Sequence, residues 1–157
     1  MKIYFLGISG TFMGNLAQIA KAMGHEVFGC DSKVYPPMSD ELRKSGINFF
    51  QGYEEKNVVD ADIYVIGNAI SQEKNLLREI LKLEKKIISG PEWLYENILS
   101  NKKVIAVSGT HGKTTVTSMI AHSLVDNNFD PNYLIAGIPK KLNKSWNISE
   151  DEIFVIE

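Results

Sequence analysis

A short apolar run, a glycine-bearing loop and a helix-forming segment follow one another twice in this chain, at residues 3–23 and 104–126. Such a unit has few ways to fold. The run is a strand, the glycines turn the chain, the helix returns across the sheet face, and the next strand lies parallel to the first. The intervening sequence keeps this rhythm. Residues 3–6, 27–30, 47–50, 63–66 and 86–88 read as strands, as do 104–107, 133–136 and 153–156. Phe12, Leu16, Ile19, Ala20 and Met23 recur at helical spacing, and Gly24 ends that helix. Ser39 is placed to cap a short helix over 40–44, and Leu76, Ile80 and Leu83 line one face of a helix over 75–85. A fourth helix starts near Pro91 and buries Trp93, Leu94 and Ile98. Tyr35-Pro36-Pro37-Met38 is a loop, because proline fixes φ and lacks an N–H. Polar residues 100–103 mark a domain boundary, giving domains 1–100 and 101–157. Residues 101–157 supply too few elements to cover both faces of a parallel sheet, so the second domain is expected to be incomplete.

The bulk properties exclude some classes. Of 157 residues, 44% are hydrophobic and 23% charged, as in ordinary folded domains. A net charge of −2 gives no broad attraction to nucleic acid or membrane surfaces. Cys30 is the single cysteine, so no internal disulfide forms. Gly7, Ser9, Gly10 and Thr11 interrupt the first apolar run, which suits a strand entering a loop better than a signal peptide. No stretch reaches the roughly 20 apolar residues of a membrane span.

The loop Ser108-Gly109-Thr110-His111-Gly112-Lys113-Thr114-Thr115 lies between a strand and a helix. Glycines there let successive N–H groups converge on phosphate oxygens, and the helix start adds partial positive charge. Lys113 is placed to reach the β- and γ-phosphates of a nucleotide, and the Thr114 hydroxyl is expected to bind Mg²⁺. Thr115 and His111 are further contacts. The usual G-x-x-x-x-G-K-[ST] spacing is not fully met, since position 107 is Val107 and Gly109 takes up part of the first glycine's role. Glu157 ends the last apolar run, where an acid either holds Mg²⁺ or is simply solvated.

The first loop, Gly7-Ile8-Ser9-Gly10-Thr11-Phe12-Met13-Gly14, has the spacing G-x-x-G-x-x-x-G rather than G-x-G-x-x-G. It can still seat a pyrophosphate on a helix N-terminus. Asp31, ending the second strand, is placed to accept a hydrogen bond from a ribose or base. These features alone also fit a nicotinamide-binding oxidoreductase module, or a plain tight turn.

Two phosphate-binding units in tandem resemble the Mur ligase family. The resemblance rests on both loops and on Tyr35-Pro36-Pro37-Met38-Ser39, Gly67-Asn68-Ala69 and Ser89-Gly90-Pro91-Glu92-Trp93-Leu94. It implies an α/β protein: a Rossmann-like parallel-sheet domain followed by the truncated start of a P-loop ATPase domain. It further implies that Gly7, Ser9, Gly10, Thr11, Phe12, Met13, Gly14, Asp31, Asn68 and Ala69 bind the UDP-sugar UDP-N-acetylmuramate. Gly109, Thr110, His111, Gly112, Lys113, Thr114 and Thr115 would bind ATP. Thr114 and Glu157 would hold Mg²⁺, with Lys113 catalytic. The implied reaction is amide formation through an acyl phosphate in the cytoplasm. The amine would be the murein tripeptide L-Ala-γ-D-Glu-meso-diaminopimelate, with L-alanine as the alternative.

Other residues carry simpler expectations. His25 reads as a surface residue at a turn, and His122 as helix surface or packing. Trp93 and Trp146 read as packing residues, and Lys140, Lys141 and Lys144 as a solvated basic face. A nucleotide-binding switch without catalysis is the remaining alternative for the second loop.

Overall fold

The computed structural model describes all residues except 68–73, 138 and 140, together with the backbone alone of 74 and 75. The chain forms two compact units, Met1–Leu94 and Tyr95–Glu157.

The first unit is a five-stranded parallel sheet. Its strands are β1 (Lys2–Leu6), β2 (Glu26–Asp31), β3 (Asn48–Gln51), β4 (Ile63–Ile66) and β5 (Lys86–Ser89). They lie in the order β3-β2-β1-β4-β5. β1 is central, so successive connections leave it toward opposite edges. That reversal opens a crevice at the carboxyl ends of β1 and β4, where such sheets bind ligands. The helices are α1 (Thr11–Ala22), α2 (Met38–Lys44), α3 (Lys74–Lys82) and α4 (Gly90–Asn97).

Both sheet faces are covered, as the apolar run of β1 requires. Ile3, Tyr4, Phe5 and Leu6 are all fully buried. Tyr4 and Leu6 point to one face and pack with Tyr64 and with Leu76 and Ile80 of α3. Phe5 points to the other and meets Trp93 of α4 edge-on, ring centroids 6.1 Å apart. Each such large apolar side chain contributes about 1.5–3 kcal/mol on burial. Trp93 is thus the packing residue the sequence indicated.

The second unit has β6 (Lys103–Ala106), α5 (Lys113–Asp126), β7 (Asn132–Leu134), β8 (Trp146–Asn147) and β9 (Ile153–Ile156). The sheet order is β6-β9-β7-β8, with β8 antiparallel to β7 and the other pairs parallel. Ala121 of α5 packs with Tyr133, Ile135 and Val155. Buried Asn132 fastens the turn before β9: its amide donates to the carbonyls of Asp151 (2.7 Å) and Ile153 (3.1 Å), and its oxygen accepts from the Ser149 N–H.

Three expectations change. α2 begins at Met38 with Pro37 as its N-cap, so Ser39 lies inside the helix, buried, and caps nothing. α3 stops at Lys82, because Glu84 adopts a left-handed φ of 52°; Leu83 therefore leaves the helical face and is 37% exposed. β8 has no counterpart in the sequence reading, since two residues show no periodicity.

Gly29, in the middle of β2, is required by contact. A Cβ there would lie 2.5 Å from the Phe5 carbonyl oxygen and 2.6 Å from Ile8 Cδ1. Gly29→Ala is expected to destabilise the chain by about 1–3 kcal/mol. The check is a lowered urea midpoint at unchanged m-value.

Candidate functional site

The first loop leaves β1 at Gly7, whose φ of 81° suits glycine. Gly7 N–H (2.8 Å) and Ile8 N–H (3.2 Å) both donate to the Cys30 carbonyl, which pins the loop to the end of β2. Gly10 is the N-cap of α1, has no side-chain cap, and donates its own N–H to Gly7 O. The first turn of α1 is therefore open: the N–H groups of Thr11, Phe12 and Met13 meet no acceptor among the described residues. Gly14 serves packing, since a Cβ there would come within 2.8 Å of the Ile8 carbonyl oxygen and 2.3 Å of Met38 Sδ. Gly67 and Gly90 likewise make room for Met13, which is 6% exposed.

Asp31 closes the other side of this loop. Its Oδ2 accepts from the Ser9 N–H (2.9 Å) and the Ser9 hydroxyl. Its Oδ1 accepts from Ser32 N–H (2.7 Å), Ser32 Oγ (3.3 Å) and Tyr53 Oη (3.2 Å). Burial, and then the Asp31 charge, push the Tyr53 phenol well up, so it remains a donor. Tyr53 carries no motif; it reaches Asp31 only through the fold, and nothing local in the sequence signals it.

In the second unit the loop runs from β6 into α5. Val107 N–H still pairs with Ile156 O, and Val116 N–H with Gly112 O. Between them, no backbone N–H of residues 108–115 has an acceptor among the described residues. Gly112 is the α5 N-cap at φ 76°. Lys113 Nζ folds back on its own loop, donating to Gly109 O at 2.9 Å. The Thr114 hydroxyl donates to Glu157 Oε2 at 2.9 Å, and Ala136 N–H donates to Oε1 at 2.7 Å. Gly137 lies alongside, where a Cβ would be 3.6 Å from Thr114 Cγ2. An exposed row of unpaired donors beside a lysine, with a hydroxyl and a carboxylate in contact, is suited to a polyphosphate and a hard divalent cation.

Comparison with known proteins accords with this geometry. The model of the Mur ligase family, catalytic domain, matches residues 2–102. The chain belongs to the Mur ligase family. The UDP-N-acetylmuramate–L-alanyl-γ-D-glutamyl-meso-2,6-diaminoheptandioate ligase of Escherichia coli (strain K12) is 42% identical, over 100% of this chain and 35% of its own length. A UDP-N-acetylmuramate–L-alanine ligase of Psychrobacter sp. (strain PRwf-1) is 32% identical, over 99% of this chain and 32% of its own. A solved UDP-N-acetylmuramate:L-alanyl-γ-D-glutamyl-meso-diaminopimelate ligase from Neisseria meningitides superposes with a TM-score of 0.94 at 43% identity, over 99% of this chain and 52% of that one. The chain thus spans about a third of the length of these sequence relatives.

The structure brings Gly7, Ser9, Gly10, Thr11, Phe12, Met13, Gly14 and Asp31 together at the ends of β1 and β2. Asn68 and Ala69 lie outside the described residues. Gly109, Thr110, His111, Gly112, Lys113, Thr114 and Thr115 form the loop and first turn of α5, with Glu157 against Thr114. The reading missed Tyr53, Ala136 and Gly137. Among the incidental residues, His122 Nδ1 lies 3.1 Å from an Asp126 carboxylate oxygen, and Lys144 lies over the Trp146 ring at 5.3 Å. No helix among the described residues is long and apolar enough to cross a membrane.

Gly112 gives a clean test of the loop's backbone. No atom lies within 4 Å of a Cβ built there, so Gly112→Ala strains only φ. Its expected cost is about 1–2 kcal/mol, with Gly112→Asn costing less. Chemical denaturation of the two variants measures this order.

Proposed function

We propose that this chain carries the sugar-nucleotide unit and the phosphate loop of an ATP-dependent ligase acting in the cytoplasm. The ligase joins UDP-N-acetylmuramate to the tripeptide L-Ala-γ-D-Glu-meso-diaminopimelate, a reaction of peptidoglycan recycling. Domain 1–100 binds the UDP-sugar and domain 101–157 belongs to the ATP site. The row of unpaired N–H groups at residues 108–115, with Lys113 inside it, carries the phosphate chemistry. The choice of amine rests on similarity: 42% identity to the tripeptide ligase of Escherichia coli against 32–35% for the L-alanine ligases. L-Alanine is the second reading, for the same reason.

Each group has a defined task. The N–H groups of Thr11, Phe12 and Met13 face the pyrophosphate of the sugar nucleotide. Those of the loop from Gly109 and Thr110 through His111 and Gly112 to Thr115 receive the ATP phosphates. Lys113 leaves Gly109 O for the γ-phosphate and offsets charge as the muramate carboxylate attacks the γ-phosphorus, the β–γ bridging bond breaks and ADP leaves, giving an acyl phosphate. The amine then displaces phosphate from that acyl group. Thr114 and Glu157 supply oxygen donors that fit Mg²⁺, which when bound neutralises phosphate charge.

Calorimetry on this chain tests the reading. UDP-N-acetylmuramate is expected to bind saturably, to be displaced by UDP, and to be indifferent to NADH. Lys113→Ala is expected to leave that binding intact and to lower turnover of the full-length ligase on the order of 10²-fold or more. NADH binding with no response to UDP-sugars would contradict it.

A further inference from the structure

Asp31 is placed where a nucleotide-binding α/β unit commonly holds a ribose hydroxyl, yet its hydrogen bonds describe another task. An ionised carboxylate offers about four acceptor directions. Five protein donor groups lie within hydrogen-bond distance of Asp31: the N–H and hydroxyl of Ser9, the N–H and hydroxyl of Ser32, and the Tyr53 phenol; four remain even with the Ser9 hydroxyl turned to Lys33. Two of these come from the first loop, two from the residue after β2, and one from beyond β3. The Ser9 hydroxyl also lies 2.9 Å from the Lys33 carbonyl, so its single proton has two acceptors within reach at the end of β2 and just beyond it. Meanwhile the Ser9 N–H is turned into the protein, and the donors left for an anion begin at Thr11.

We infer that Asp31 is a positioning residue, a latch that grips Ser9 and so holds the α1 start aimed at the pyrophosphate, with Tyr53 and Ser32 completing its coordination; it does not bind the ribose. This deepens the proposed sugar-nucleotide reading and rests on it for the ligand. The latch predicts that Asp31 and Ser9 act as one unit, and that the sugar hydroxyls are irrelevant to what Asp31 does. A ribose ligand predicts the reverse on both points.

The test uses the whole chain, with UDP, 2′-deoxy-UDP and 3′-deoxy-UDP as probes in calorimetry, and amide hydrogen exchange without ligand. Asp31→Ala is expected to weaken UDP binding about tenfold, the size of one lost charge-assisted hydrogen bond, and to weaken both deoxy ligands by the same factor. The Ser9→Ala/Asp31→Ala double variant is expected to bind no worse than Asp31→Ala alone. Exchange at Ser9, Gly10 and Gly14 rises, while that of β1 and β4 stays as in the parent, which shows the sheet intact. If Asp31→Ala does not fold, Ser9→Ala is expected to give the same uniform loss of affinity. A loss that disappears with either deoxy nucleotide makes Asp31 a ribose ligand and overturns the latch. Unchanged exchange at Ser9, Gly10 and Gly14 in Asp31→Ala also overturns it, whatever the ligand does. If the parent chain binds no UDP at all, the sugar-nucleotide reading fails, and the exchange result alone decides the latch.

Discussion

The first turn of an α-helix has N–H groups that the helix itself cannot pair, and both candidate sites are built on that deficit. A parallel sheet with helical crossovers sends each helix back from the carboxyl end of a strand. It therefore gathers these open donors on one edge of the sheet. In the first unit the edge is formed at the ends of β1 and β2, where Thr11, Phe12 and Met13 present open N–H groups. In the second, the loop between β6 and α5 extends the open row over residues 108–115. A side-chain cap would have taken one donor from either row, and neither helix has one.

The two units also share a device. In each, an acid at the end of one strand accepts a hydrogen bond from the loop or helix start that follows the neighbouring strand. Asp31 ends β2, which pairs with β1, and it takes Ser9 of the loop after β1. Glu157 follows β9, which pairs with β6, and it takes Thr114 of the helix after β6. The uses diverge with the number of donors. Asp31 is filled by protein groups, which makes it a fastening. Glu157 receives one hydroxyl and one backbone N–H, which leaves acceptor capacity beside Thr114 for a cation.

Local signals explain what was legible in the sequence. The glycine loops, the apolar runs and the helical spacing of Leu16, Ile19 and Ala20 are short-range patterns. They gave the strands of both sheets except β8, and they located both loops. What depended on distant partners was hidden. Ser39 looks like a cap, but Pro37 starts the helix earlier. Leu83 fits a helical face, but Glu84 turns the chain before it joins one. Tyr53 meets Asp31 across 22 residues of sequence, so its role appears only in three dimensions. Asp31 itself was found for its place at a strand end, while the five donors that define its task could not be read from that place.

The central claim is that unpaired backbone N–H groups at two helix starts bind the two ligands. Amide chemical-shift mapping of the ¹⁵N-labelled chain tests it most directly. Adding UDP-N-acetylmuramate should displace the amide signals of Thr11, Phe12 and Met13, and adding Mg–ATP should displace those of Gly112, Lys113, Thr114 and Thr115. Saturable shifts confined to residues outside these two turns, with these amides unmoved, would contradict the account.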